Sequence, residues 1–347
     1  RKDQRTGVGT LTVHDQAGHV VYTYDGEWLQ DQRHGAGSSV HCGGNKYSGQ
    51  WLRNQQHGVG TLVDAEGSVY EGEWQAGKFH GVGKHMCHGD TYTGEFLNGE
   101  RHGQGQLSHA QWDRDGVPPV DETRRSGAAA DEDLSVELVA AALGAECVFS
   151  GQWVAGRRHG HGRAVYERGE YEGGWLEGLR HGQGSLKTGE GYVIDGPWLG
   201  GAPDPAGRFM LFYPSGAKYE GKVRCCGITP AADHALSAAS GAPVVLPAGE
   251  AVGAMDAAAA TNTEEVLAWW ALPEGKGVMK SPDGRIYDGM HRRGRAHGRG
   301  VVFAADRSKY EGDFEDGLRH GSGLLTVDGT AASQLPLHVR YRRGVLL

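Results

Sequence analysis

Histidine is the residue in this chain whose type and recurrence most invite a chemical reading. His34, His57, His80, His102, His159, His181, His297 and His320 each stand directly before a glycine. Imidazole is the commonest metal ligand and titrates nearest to neutral pH. Two denser groupings join them: His85-Met86-Cys87-His88, and the vicinal thiols Cys225-Cys226. Spacing argues against metal at the repeated histidines. Equivalent residues two strands apart in a sheet lie roughly 9–10 Å from one another, whereas zinc sits about 2 Å from a ligand nitrogen. A structural turn or stacking role is the expectation for them. In His85–His88 the side chains alternate in facing, so no metal site is expected there, and Cys225-Cys226 reads as two ordinary thiols at the start of a loop. The chain has no His-Glu-x-x-His, no Gly-x-Ser-x-Gly elbow and no P-loop. Its many Gly-x-Gly pairs lack the strand–turn–helix setting of a dinucleotide site. Neither a catalytic residue nor a cofactor is expected.

What positions these histidines is a repeat. Tyr70-Glu-Gly72-Glu-Trp74 is followed by five residues and then His80-Gly81-Val-Gly83. The clearest other copies are Tyr47, Gly49, Trp51, His57, Gly58 and Gly60; Tyr171, Gly173, Trp175, His181, Gly182 and Gly184; and Tyr310, Gly312, Phe314, His320, Gly321 and Gly323. Further copies open at Tyr24, Tyr92 and Phe149, and at Tyr287 with His291 in the Trp place. Ile194–Trp198 and Tyr219–Val223 open degenerate copies. Residues two apart share a face of a strand, so Tyr70, Gly72 and Trp74 face one way and Glu71 and Glu73 the other. Gly81 and Gly83 are read as beginning a second strand. One hairpin is marginal in water, so hairpins must stack. Glycines in strands mark close approach of another group, here expected to be a Tyr or Trp ring from the next repeat.

The pattern Y-x-G-x-W-x-x-G-x-x-H-G-x-G resembles the MORN repeat family. The resemblance implies an all-β fold, an elongated single-layer ribbon of stacked antiparallel hairpins, here with two inserted loop and helix segments. Ten or so repeats at two strand spacings each give a ribbon on the order of 100 Å long. Residues 1–107 read as a repeat block, 108–147 as an insertion with a short helix, and 148–223 as a second block whose last repeats are degenerate. Residues 224–273 read as an Ala/Gly-rich insertion with a short Trp-containing helix, and 274–347 as a C-terminal repeat block. The first insertion carries a helix signal from Asp131 to Gly144, with Leu134 and Leu138 on one face and Gly144 as the stop. In the second, Thr261 or Thr263 caps a short helix reaching Trp269 and Trp270. These four side chains are the candidate partner-binding residues, because exposed apolar and Trp residues anchor interfaces. The two insertions fall in opposite kinds of turn, so they are expected on opposite edges.

Composition fits a thin object. Of 347 residues, 59 are glycine, more than twice the average share of roughly 7%. Net charge is −8, and basic residues cluster only at Arg292-Arg293-Gly294-Arg295 and Arg340-Tyr341-Arg342-Arg343, which excludes a general nucleic-acid binder. Five cysteines fit no disulfide framework, and a reducing compartment is expected. No apolar run reaches the roughly 18 residues of a membrane span. The chain opens on Arg1 in mid-repeat, so a true N-terminus is expected to lie upstream.

Some MORN proteins carry a lipid kinase or lysine methyltransferase domain. The insertions here fall below the roughly 100–150 residues of a typical domain, and no enzyme is expected. The resemblance implies instead a scaffold of a cilium or flagellum, like MORN proteins of the radial-spoke head, or of the cytoskeleton. Partners would be other protein subunits, with assembly into homo- or hetero-oligomers through ribbon ends or edges. Two alternatives stand beside it. One is a tether on anionic lipid, as in junctophilin-like proteins, using Arg292, Arg293, Arg295, Arg340, Arg342 and Arg343. The other is a regulatory fragment of a larger enzyme.

Overall fold

A computed structural model describes residues 4–109, 143–224, 272–327 and 336–347. Among the described residues, 24 strands join in one antiparallel sheet. They fall into two compact units: Arg1–Glu122 with Glu146–Tyr166 and Gly174–Leu179, and Thr123–Ala145 with Glu167–Gly173 and Arg180–Leu347. In the first, each strand from Gly7–His14 to Arg157–Tyr166 pairs with its sequence neighbours. In the second, pairing runs likewise from Leu179–Thr188 onward, with one departure: Val193–Leu199 pairs both with the two-residue strand Ala202–Pro203 and with Phe209–Phe212. Ile194 there stands in the Tyr place, and the ring of Phe209 fills the space over Gly196 instead.

The hairpin of Val69–Gln75 and Lys78–Cys87 shows why the sequence folds this way. Ala76 and Gly77 join the strands with φ of 51° and 80°, the mirror-image turn whose twist suits a two-residue hairpin. The glycine strand begins at Lys78, three residues before the Gly81 start read from sequence. His80-Gly81 is not an end but a bulge within the strand. Gly72 faces Gly83 and Glu73 faces His80, so Gly81 and Val82 bulge out of that ladder. Gly81 has φ +55°, and a Cβ on it would also stand 2.4 Å from Oε2 of Glu73. Gly35, Gly58, Gly103 and Gly160 repeat the conformation.

A bulge frees backbone groups, and buried ones need partners. Glu73 Oε1 accepts from the Val82 N–H at 3.3 Å, and the Tyr70 hydroxyl donates to the Glu73 carbonyl at 2.8 Å. Tyr24 with Glu27, Tyr47 with Gln50 and Tyr92 with Glu95 make the same two bonds. Burial, the main cause, pushes the Tyr70 and Tyr92 hydroxyls up to about 12, so they remain protonated donors.

The core of each unit is built on a row of rings. Tyr70 covers the glycines of its own hairpin, where a Cβ on Gly83 would meet its hydroxyl oxygen at 2.5 Å. This corrects the expectation of a ring from the next repeat. The link between hairpins is made by Trp. Trp74 meets Tyr70 edge-on at 5.3 Å and Tyr47 of the preceding hairpin at 5.1 Å, and its indole N–H donates to the Gly60 carbonyl at 3.0 Å. The alternation runs on through Phe96, Tyr92, Trp153, Phe149 and Trp175 in the first unit. In the second unit Tyr219, His291, Tyr287, Phe314, Tyr310 and Tyr341 continue the same edge-to-face order.

Candidate functional site

The ring-bearing face is largely closed by the chain itself. In five hairpins the residue before His-Gly is an arginine whose guanidinium lies over two rings of this face. Arg33 stands 5.8 Å from Tyr24 and 4.4 Å from Trp51. Arg101 lies over Tyr92 and Trp153, and Arg158 over Phe149 and Trp175. In the second unit Arg180 and Arg319 repeat the arrangement. A cation over a ring face is worth about 0.5–2 kcal/mol. Phe79 holds this place in its hairpin, stacked on Tyr70 at 3.7 Å. Gln56 holds it between Tyr47 and Trp74, and an open cavity of about 430 Å³ lies there.

The opposite face of the first unit is different. Val8 faces Glu27 across the ladder, Val59 faces Glu73 and Val82 faces Glu95. Each acidic residue is a neighbour of a core Trp or Phe, so these valines point away from the rings. They are 82%, 62% and 58% exposed. Leu29, Leu52, Leu97 and Val154 follow directly after Trp28, Trp51, Phe96 and Trp153, and are exposed as well. Val59 and Val82, in successive hairpins, with Leu52 and Leu97 form a short aliphatic stripe beside Glu73 and Glu95, and Ala36 and Gln104 hold the equivalent places in the hairpins on either side. Contiguous exposed apolar surface of this kind marks interaction sites.

The histidines have structural places. His80 sits in the bulge rather than in a turn. His57, Gly58 and Gly60 in one hairpin, and His320, Gly321 and Gly323 in another, take the places of His80, Gly81 and Gly83. His181, Gly182 and Gly184 lie in Leu179–Thr188, where a Cβ on Gly184 would meet the Tyr171 hydroxyl oxygen at 2.2 Å. Within His85–His88, His85 stands apart from the other two. His85 packs on Phe79 at 5.6 Å, and burial lowers its pKa, while His88 lies in the turn at φ 49°. Cys87 Sγ lies 3.0 Å from His88 Nδ1. Among the described residues no group of three His, Cys, Asp or Glu side chains converges. His291, 4% exposed, occupies the Trp place, and burial drops it to about 4.

Sequence reasoning missed one polar cluster, at the root of the first insertion. His109 Nδ1 lies 3.0 Å from Asp90 and its Nε2 3.8 Å from Glu146, and Glu146 also accepts from Arg158 at 2.6 Å. The two carboxylates beside it, Glu146 foremost and then Asp90, raise the His109 pKa against the opposing effect of burial. Of the candidate partner-binding residues, Leu134, Leu138, Trp269 and Trp270 lie outside the described residues, as do Cys225 and Cys226. So do both expected helices, apart from Leu143 and Gly144. Leu143 is fully buried and accepts from the Arg168 N–H, and Gly144 has φ +73°. Both insertion roots are paired. Phe149 faces Leu107 across the first, and Val223 faces Pro273 across the second.

Eight segments of the chain match the MORN repeat. They are residues 24–46, 47–69, 70–88, 92–114, 149–170, 171–191, 271–284 and 310–330. The copies opening at Ile194, Tyr219 and Tyr287 rest on the geometry above. Comparison with curated proteins finds no match. Among solved structures, the chain is similar to the TCP10 domain of Danio rerio CPAP in complex with a peptide of Danio rerio STIL. There the TM-score is 0.31 and the identity 7%, over 95% of this chain and 99% of that one. A likeness at that level transfers no property. The matches mark the chain as a repeat protein, and they suggest a part in protein or membrane interaction.

Proposed function

We propose that the chain is a non-enzymatic scaffold that holds other protein subunits in a ciliary or flagellar axonemal assembly of the radial-spoke kind. The observation that carries protein binding is the aliphatic stripe of the first unit, in which Val59 and Val82 stand in successive hairpins, 62% and 58% exposed, with exposed Leu52 and Leu97 beside them. Its carboxylate border suits a partner with apolar anchors and basic flanks. The axonemal setting comes from the resemblance of the repeats to those of radial-spoke proteins. The test is fractionation of ciliated cells. The chain stays with the salt-resistant axoneme after detergent extraction if the proposal holds, and complete release by detergent rejects it.

A lipid-tether reading has one observation behind it. Arg292, Arg293 and Arg295 surround one turn, and Arg342 and Arg343 another, all exposed or half-buried at the surface. The turn between them in sequence, Glu315 to Leu318, is acidic, which weakens attraction to an anionic surface. Flotation with phosphatidylserine vesicles at low salt separates the readings. The scaffold proposal expects none, and the tether expects flotation that Arg-to-Glu changes at 340, 342 and 343 abolish.

A further inference from the structure

We propose that the cavity beside Gln56 is a receptor slot for one arginine side chain of a protein partner. This deepens the protein-binding reading and rests on it. The chain itself supplies the template. Arg33, Arg101 and Arg158 in the first unit each place a guanidinium between the aromatic ring of their own hairpin and that of the next. Arg5 stands likewise 4.0 Å over Trp28. Gln56 has the same backbone place. Its carbonyl accepts from the Gly77 N–H, as that of Arg33 does from Asn54. A glutamine is shorter than an arginine and carries no charge, so the space is left open. Its lining includes Gln56, Gly77 and the rings of Tyr47, Trp74 and Phe79.

The template also supplies the hydrogen bond. Arg33 Nη2 donates to the Asn54 carbonyl at 2.7 Å. Gly77 is the residue equivalent to Asn54, and its carbonyl is the matching acceptor for a guest guanidinium. A planar, weakly hydrated guanidinium stacks on rings and donates in the ring plane at once, which an ammonium does not do. Lys78 lies at the rim as a competing charge, which adds to the preference for a delocalised cation over a compact one. Phe79, in the next hairpin, shows that a ring fits the equivalent place, and an apolar guest is therefore the alternative to test.

The probes are N-acetyl-arginine amide, its lysine and phenylalanine counterparts, and the full chain. The readout is the Trp74 indole N–H resonance, assigned with Trp74→Phe. The arginine amide shifts it saturably, and the lysine amide binds several-fold more weakly. Gln56→Arg fills the slot from within, is compatible with the fold because five other repeats carry arginine there, and weakens guest binding at least about tenfold, equivalent to about 1.4 kcal/mol. Gln55→Arg, with the same added charge on the exposed neighbour, leaves binding unchanged. The proposal is overturned by the absence of a saturable shift, by equal binding to Gln56→Arg, or by a phenylalanine amide that binds more tightly than arginine. Each of these leaves the axonemal fractionation result standing, so the slot and the scaffold fail separately.

Discussion

His291 gives the sharpest prediction about stability. It lies in the Trp place, edge-on to Tyr219 at 4.9 Å and Tyr287 at 5.0 Å, and is 4% exposed. Burial disfavours its charged form and lowers its pKa from 6.5 to about 4. The unfolded chain therefore takes up a proton first as pH falls. The stability this neutral imidazole protects is fully present above about pH 6.5 and is lost as pH drops toward 4. At pH 4.5 the loss from this group alone is about 2.5 kcal/mol, since each tenfold difference in proton affinity between the folded and unfolded chain is worth about 1.36 kcal/mol. Phe96 and Phe314 hold the same place in other hairpins, so His291→Phe keeps the ring row and removes the titration. Urea unfolding followed by Trp fluorescence at pH 7.5 and pH 4.5 measures the effect. The wild type should lose about 2–3 kcal/mol more than His291→Phe over that interval. Equal losses in the two proteins would refute the reasoning, because every other titrating group is common to both.

Three further outcomes follow from the same geometry. Phe149→Tyr restores a hydroxyl where the other hairpins donate one to the bulge carbonyl, and should stabilise by about 1 kcal/mol in urea titration. Gly83→Ala puts a Cβ 2.5 Å from the Tyr70 hydroxyl oxygen; it should destabilise by about 1–3 kcal/mol, with Gly43→Ala, whose Cβ meets nothing within 4 Å and whose φ is not positive, serving as the control. The His109 pKa is raised by Glu146 and Asp90, so its anchoring of the first insertion is full below about pH 6.5 and fades as pH rises through the folded value. Amide exchange of Glu146–Val154, corrected for intrinsic rate, should be slower at pH 6 than at pH 8 relative to His109→Gln.

The repeat makes the hairpins legible in the sequence. Tyr70, Gly72 and Trp74 share a face by strand alternation, and the ring row follows. What alternation does not show is the bulge. A register shift is invisible in a pattern of period two, and His80-Gly81 therefore reads as the start of a strand. The ring over Gly83 is misassigned for the same reason, because the bulge brings that glycine under its own Tyr70. The interaction surfaces escape a reading built on the recurring letters of the repeat. The arginines before five of the His-Gly pairs, and the aliphatic residues at Val59, Val82, Leu52 and Leu97, recur in the variable places, and counting those would find them. The cluster of Asp90, His109, Glu146 and Arg158 spans an insertion, and its members are too far apart in sequence for any spacing rule.

The most direct test of the scaffold is a double substitution in the stripe. Val59 and Val82 are exposed and point away from the ring row, so Val59→Gln with Val82→Gln, the residue that Gln104 supplies at the equivalent place, should keep stability within about 0.5 kcal/mol per site. Co-sedimentation of wild type and variant with detergent-extracted axonemes then reads the interface alone. A wild type that sediments and a folded variant at least about tenfold weaker, a loss of about 1.4 kcal/mol, is the predicted result. A variant that sediments as fully as the wild type contradicts it.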